Sequence, residues 1–249
     1  MGFRAISEGV ATGPWRGLPD EGDDVAGIYF LAGGIGEAIK NRSPKGGPDA
    51  TVVGNPTETE HGLILKGGVN YLLLNMDDPA EFEFVVIGRL IGTVNAVFLG
   101  SSGTGGRGAN IYTSFDNQRI YLNMYARPAG STGGFSNRNP YNQVDDVTKM
   151  RLLIGDGGVP PDGVNAMGLA DMTGVGEGEG ADYQPADIPA NQERAPGAPM
   201  SIGGRGSGYP GECEILAAIV RRRRTPGPAY RDHLAANLRL AFANTGVSF

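Results

Sequence analysis

The chain of 249 residues has one cysteine, Cys213, and two histidines, His61 and His233. A single cysteine excludes an intramolecular disulfide and a thiolate metal cluster. Two histidines are too few for most zinc sites or catalytic triads unless carboxylates contribute. No run of 18 or more apolar residues occurs, so no segment reads as a membrane-spanning helix. Basic residues are outnumbered 21 to 27, and the net charge of −6 has the wrong sign for a protein that coats nucleic acid. The opening "MGFRAIS" lacks the apolar core of a signal peptide, and Ile6 stands where a myristoylation signal needs Ser or Thr. These absences predict a protein made in a cytoplasm, with neither membrane nor nucleic acid as a partner.

Glycine and proline, by contrast, are abundant at 42 and 17 residues, which argues for many turns and against a helical bundle. Between the turns the apolar residues alternate. In "AEFEFVVIGRL" Phe82, Phe84, Val86 and Leu90 fall on one side and Glu81, Glu83 and Arg89 on the other, the period of a half-buried strand. "RIYLNMYA" repeats it, with Ile120, Leu122 and Met124 set against Tyr121, Asn123 and Tyr125. "GIYFL", "GLILKG", "NYLLLN", "NAVFLGS", "NIYTSF", "KMRLLIG", "MSIGG" and "CEILAAIV" bring the total to about ten short strands. That pattern predicts an all-β, antiparallel β-sandwich of jelly-roll type with long Gly/Pro-rich loops. Residues 1–26 read as an N-terminal arm and 27–249 as one sandwich domain. Within it, 156–198 reads as a long loop or insertion with too few core residues to fold alone.

Four consecutive arginines, Arg221 to Arg224, follow "CEILAAIV". Cys213, Ile215, Ala217 and Ile219 alternate and predict an inward strand face, with Cys213 a small core residue. After "TPGP", Tyr230, Leu234, Leu238 and Ala241 or Phe242 recur at helical spacing, with Pro228 in the first turn and Gly246 as a stop. One short C-terminal helix is therefore expected. The arginines sit on a strand exit, where no helical face gathers them, and read as a solvated strand end rather than a polyanion site.

"GECEILAAIVRRRRTPGPAYRDHLAANLRLAFA" resembles the C-terminal signature of the concanavalin A-like lectin/glucanase superfamily, in its laminin-G-like branch. Gly211, Glu214, Ile215 and Ile219 take the places of its "G-x-x-x-E-hydrophobic" strand. Residues 39–74 are similar to the opening of such domains, with Asn41, Ser43 and Gly46 in a turn, Ala50 to Pro56 as a short strand, and Leu65, Gly67, Tyr71 and Leu72 in the next. "MSIGGRGSGYPGE" resembles the strand that precedes the last. The resemblance spans roughly residues 27–246 and implies an adhesion, lectin or glycan-binding module of the kind found in bacteriophage virion and tail proteins. It further implies a virion location, other virion proteins as partners, a homo-oligomer, and a host-surface glycan as ligand. The alternatives are a free carbohydrate-binding adhesion module and a glycan hydrolase with unorthodox acids.

Glucanases of this superfamily carry three acids on one strand, and a retaining pair sits about 5 to 5.5 Å apart. Glu81 with Glu83, and Glu212 with Glu214, supply pairs without the third acid, so no catalytic residue is assigned and a non-enzymatic protein is expected. Gly103, Gly105 and Gly108 satisfy G-x-G-x-x-G, but a strand-like "NIYTSF" follows where a dinucleotide site needs a helix. Calcium needs oxygen ligands in number, and Asp77 with Asp78 and Asp145 with Asp146 read as ordinary turn acids. No metal and no cofactor are assigned. Sugar recognition needs aromatic rings beside amides or carboxylates. Tyr121, Asn123 and Tyr125, flanked by Arg119 and Arg127, with Asn139 and Tyr141 from "GGFSNRNPYNQ", are the candidate ligand-binding residues. A packing role for the tyrosines, under a loop or against another subunit, competes with that assignment.

Overall fold

A computed structural model describes residues 24–101, 107–134, 136–158, 166–175, 182–187, 192–195, 197, 199–223, 227–243 and 245–249. Among them the chain runs through β1 (Val25–Phe30), the one-turn helix α1 (Ile35–Ala38), β2 (Thr51–Val53), β3 (Thr57–Glu58), β4 (Leu63–Lys66) and β5 (Tyr71–Leu73). Then come β6 (Glu81–Gly100), β7 (Ala109–Ser114), β8 (Arg119–Pro128), β9 (Ser136–Arg138), β10 (Tyr141–Gln143) and β11 (Arg151–Gly158). The last elements are β12 (Ala166–Asp171), β13 (Asp182–Asp187), β14 (Gln192–Arg194), β15 (Ser201–Ile202), β16 (Pro210–Arg221) and α2 (Pro228–Phe242). Every pairing is antiparallel, and each strand expected from alternation is present.

The strands form a curled sheet of two layers joined by β6. Its first half pairs with β16 and β11 in the back layer, which continues to β12 and β13 and, beyond β16, to β1 and β4. Its last residues pair with β7 and β15 in the front layer, which runs from β2 and β5 to β8 and its edge partners β9, β10 and β14. A 20-residue strand can serve both layers only by bending, and Gly92, at φ 77, lies between the two halves. Phe82, Phe84, Val86 and Leu90 of β6 face Ile120, Leu122 and Met124 of β8 across the sandwich core.

A second apolar layer lies outside the back sheet. Val85, Ile87, Leu152, Ile154, Ala217 and Ile219 point away from the sandwich and are covered by Leu234, Ala235, Leu238, Ala241 and Phe242 of α2. Burying each large side chain there contributes about 1.5 to 3 kcal/mol. The helix forms where expected, with Pro228 in its first turn and Gly227 at φ 151, a conformation that favours glycine.

This extra layer corrects three expectations. Residues 156–198 are not merely a loop: the end of β11, β12, β13 and β14 lie within them. Met167 and Leu169 face the sandwich core while Ala170 faces the helix layer, so both sides of β12 are buried and the alternation that marks a half-exposed strand is lost. The face of β16 also changes partway along. Cys213 and Ile215 face the core, but a register shift between Ile215 and Ala217 turns Ala217 and Ile219 outward and Ala218 and Val220 inward. Cys213 is a buried core residue, and burial pushes its thiol pKa up.

The third correction concerns the arginines. Arg221 is fully buried. It donates to Glu83 at 3.1 Å and to Asp24 at 2.7 Å, and its guanidinium lies 4.7 Å from the centre of the Tyr230 ring. Arg223 pairs with the same Asp24 at 2.7 Å, whereas Arg222, on the opposite side of the chain, is exposed. Strand alternation thus turns two of the arginines to Asp24, with Arg221 also against Tyr230 of α2, and leaves one outside. Arg224 lies outside the described residues, as does most of the expected N-terminal arm, whose Val25 and Ala26 belong to β1.

Candidate functional site

The outer face of the front layer carries the tyrosines. On β8 the even residues from Ile120 to Ala126 enter the core, so Arg119, Tyr121, Asn123, Tyr125 and Arg127 point out. Tyr121 is directly opposite Tyr112 on β7 and Tyr141 on β10. The rings of Tyr112 and Tyr121 stack at 4.9 Å and 9°, and Tyr121 lies 5.5 Å from Tyr141. Tyr209, from the segment before β16, lies 4.8 Å from Tyr112 on the other side. Four tyrosines therefore form one row across the sheet, in the order 209, 112, 121, 141.

The row differs from a flat stacking platform. Tyr121 has a tyrosine on each flank, and the Arg119 guanidinium lies 4.2 Å from the centre of the Tyr141 ring. The facing rings of Tyr112 and Tyr121 are spent on one another, a gain of about 0.5 to 1.5 kcal/mol, while the other two contacts are tilted. Outward there remain ring edges, hydroxyls and one guanidinium. Arg119 donates through Nε to Gln143 Oε1 at 3.0 Å, and its hydrogen bond with Tyr121, outweighing a small cost of burial, raises its pKa. Burial raises the pKa of Tyr112, helped by the neighbouring Tyr209, so the phenol stays neutral. Tyr141 is the most exposed of the row at 39 %.

The other candidates divide. Tyr125 is half-buried on the same face, opposite Asn137, and its backbone is fixed by Ala195 and Gly108. Asn139 is exposed in the link between β9 and β10, two residues before Tyr141 in the chain. Asn123 lies on the right face but is only 2 % exposed, so it stands beneath the surface instead of on it. Arg127 pairs with Glu193 of β14. Phe135 and the loop holding Gly103 and Gly105 lie outside the described residues, and the segment that follows that loop is the strand β7. Sequence patterning missed Tyr112 and Tyr209: the register that sets Tyr112 beside Tyr121 is a long-range pairing, and Tyr209 belongs to no periodic segment.

Six of the candidate carboxylates for catalysis or calcium, Glu83, Glu212, Glu214, Asp78, Asp145 and Asp146, are engaged in ion pairs or hydrogen bonds. Glu83 is buried against Arg221. Glu214, 2 % exposed, accepts from Arg89 at 2.6 Å and from Thr59 Oγ1 at 2.6 Å, and Glu212 pairs with Lys66 at 3.2 Å. Asp78 forms a buried pair with Arg194 and also accepts from Ser101 Oγ at 2.6 Å and Gly197 N at 2.8 Å. Asp145 binds Lys149 and Arg151, and the Lys149 hydrogen bond pulls its pKa down to about 2. Asp146 accepts from the backbone and hydroxyl of Thr148, which lowers its pKa as well. Among the described residues no three or more His, Cys, Asp or Glu side chains gather as for a metal ion.

No protein-family model and no curated protein sequence matches the chain. Solved structures do. The binding domain of botulinum neurotoxin DC, solved in complex with SialylT, is similar with a TM-score of 0.58 at 9 % identity, over 88 % of this chain and 52 % of that one. The same toxin's domain solved with rat synaptotagmin II gives 0.59 at 10 % identity, again over 88 % and 52 %. A sialidase of Trypanosoma rangeli gives 0.52 at 12 % identity, over 98 % of this chain and 36 % of that one. The chain spans about half the length of the toxin domains it matches. These likenesses are of fold, in keeping with a concanavalin-like jelly roll.

Proposed function

We propose that the chain is a glycan-binding module that holds its ligand at the outer face of the front layer and does not cleave it. The observation that carries this is the row Tyr209, Tyr112, Tyr121 and Tyr141 with Arg119 at its exposed end. The row is rigid before any ligand arrives, since each ring is held by its neighbours and by the register of β7, β8 and β10. Rigid rings lose little entropy on binding. Hydroxyl edges, the free donors of Arg119 and the exposed amide of Asn139 suit a polyol, and Tyr141 offers it an apolar contact.

The toxin domains of similar fold were solved with SialylT and with rat synaptotagmin II, which supports recognition as a use of this fold. Non-catalytic action is supported by the glutamates: Glu83, Glu212 and Glu214 are held in ion pairs with Arg221, Lys66 and Arg89. A virion as the setting, with other virion proteins and further copies of the chain as neighbours, rests on the resemblance of residues 27–246 to the concanavalin A-like superfamily, whose modules recur in bacteriophage virions, and on the single cysteine and glycine-rich loops.

The test is a glycan array probed with the whole chain and with Tyr141→Ala. Binding to a defined set of glycans, weakened about tenfold to a hundredfold by the substitution, is expected. Equal binding by both proteins would overturn the assignment of the face. Release of new reducing ends from a bound polysaccharide would overturn the non-catalytic reading.

A further inference from the structure

The register of the front layer sets a row of amides one step along from the tyrosines. Asn110 of β7 is directly opposite Asn123 of β8. On the other side of β8, Asn137 faces Tyr125 and Tyr141 faces Tyr121, so Asn139, midway between them, comes opposite Asn123. Pro140 O accepts from Leu122 N at 3.0 Å and keeps that link alongside β8. By alternation Asn110, Asn123 and Asn139 share the outward side with Tyr121 and Tyr125. Short side chains thus floor a trough between tall ones, with Tyr112, Tyr121 and Tyr141 along one wall and Tyr125 on the other. Tyr121 and Tyr125 stand four residues apart, about 13 Å along the strand.

The trough is closed at one end and open at the other. Asn110 and Asn123 are each 2 % exposed, whereas Asn139 is exposed. Burial raises the pKa of Tyr112 and Tyr209 and Tyr125 adds to both, so the Tyr125 hydroxyl lies within electrostatic reach of theirs. Tyr112 and Tyr209 also hydrogen-bond each other. At this closed end Asn123 Oδ1 is buried with no hydrogen-bond partner among the described residues. A buried acceptor without a donor costs about 1 to 3 kcal/mol. What completes it must carry an O–H or an N–H.

We propose, resting on the reading that the front face binds glycan, that this trough is the subsite that selects one neutral hexose, with Asn123 as its specificity-determining residue. The sugar enters at the Asn139 end and one hydroxyl donates to Asn123 Oδ1. The adjacent hydroxyl meets the Asn139 amide, and the CH face lies against Tyr125, which takes no part in the stacking of the row. Selection of a neutral sugar follows from the lining, which is amides and phenols alone. Arg127 is paired with Glu193, and Arg119 stands beyond Tyr121, on the far side of the tyrosine row. A carboxylate in the trough meets no cation. An internal water would satisfy Asn123 alone, whereas a sugar satisfies it and ties it to Asn139.

The test is a titration of the isotopically labelled whole chain, followed by backbone and side-chain amide signals, with the methyl glycosides of glucose, galactose and mannose and with glucuronic acid. At least one neutral hexoside is expected to bind in the millimolar range or tighter, to move the side-chain amide of Asn123, and to change little with salt, with glucuronic acid about tenfold weaker or more. Asn123→Leu, which keeps the branching of the side chain and strands no polar group, should weaken that hexoside about tenfold or more with the melting temperature unchanged or raised. On the wild-type protein, one single-deoxy form of the bound hexoside should lose about tenfold or more and the others less.

Hexoside binding unchanged in Asn123→Leu, or equal affinity for every deoxy form, would overturn the assignment. So would Asn123→Leu lowering the melting temperature while sparing the hexoside, the mark of an amide that holds a structural water. Glucuronic acid binding as tightly as the hexosides would overturn the selection of a neutral sugar, and no hexoside binding would overturn the subsite. If any of these occurs while the glycan array stays positive and sensitive to Tyr141→Ala, the trough falls and the front face stands. A silent array removes both.

Discussion

Substituting the arginines 221, 222 and 223 one at a time by alanine separates an anchor from a charged surface run. Arg221 is fully buried, and both of its carboxylate partners are largely out of water, Glu83 completely and Asp24 with 16 % of its side chain exposed. Burial works against its charge, but Glu83, Tyr230 and Asp24 outweigh it and hold the guanidinium above the ordinary arginine range. Removing one partner of a buried pair leaves the other as an uncompensated charge, at a cost of about 3 to 5 kcal/mol. For a chain of this size about 1 kcal/mol moves the melting temperature by roughly 2 to 4 °C, so Arg221→Ala should lower it by about 6 to 20 °C. Arg223 is half-exposed and shares Asp24, so its loss should cost about 0.5 to 1 kcal/mol. Arg222→Ala should stay within about 0.5 kcal/mol. Arg221→Lys should recover only part, because one ammonium cannot span Glu83 and Asp24 as the guanidinium does. The double variant Glu83→Met with Arg221→Met should recover much of the loss, since it removes the stranded charge. Thermal melting by near-UV circular dichroism reads all of these. An Arg221→Ala protein melting within about 2 °C of wild type would refute the anchor.

Leu238→Ala opens a cavity between α2 and the back sheet and should cost about 2 to 5 kcal/mol without altering glycan binding at the front face, measured by urea melts beside the array. Alkali should destabilise the protein through its buried phenols. Tyr29 and Tyr230 are raised chiefly by burial, with further help from Asp49 and Glu83 respectively, and Tyr112 by burial and Tyr209. A folded pKa above the unfolded value of about 10 gives stability that is whole below pH 10 and lost as pH rises beyond it toward the folded value. Melts at pH 9, 10 and 11 should fall slightly in the first step and several-fold more in the last, with a spectrophotometric tyrosine titration showing a late class of phenols, and a single class near pH 10 would count against their burial.

What could be read from the sequence tracks how far a residue's fate is local. The core faces of β6 and β8 were legible because Phe82, Phe84, Ile120 and Leu122 need only know which side is apolar. The C-terminal helix was legible from Pro228 and the spacing of Leu234 and Leu238. That this helix would roof the back sheet was not, and it decides the rest: it buries Glu83 beside Arg221 and hides β12 inside a segment that looks like a loop. Gly168 is one instance, since a side chain there would run into the ring of Tyr183 on the neighbouring β13. At the front face, Tyr121 and Tyr141 could be chosen from composition near each other in sequence, but their partner Tyr112 is set by register and Tyr209 by a chain segment 88 residues after Tyr121. The floor of the trough was legible only in part: Asn123 and Asn139 could be chosen beside their tyrosines, while Asn110 reaches them through the register of β7.

The most direct measurement is a titration of an array-selected glycan into isotopically labelled protein, followed by amide chemical shifts. Recognition at the tyrosine row predicts shifts concentrated at Asn110 to Tyr112, Arg119 to Tyr125 and Tyr141 to Gln143, with the amides of α2 and of β11 and β12 unmoved and the glycan recovered at its original length. Shifts confined to α2 and the back layer, or a glycan recovered in shorter pieces, would contradict it.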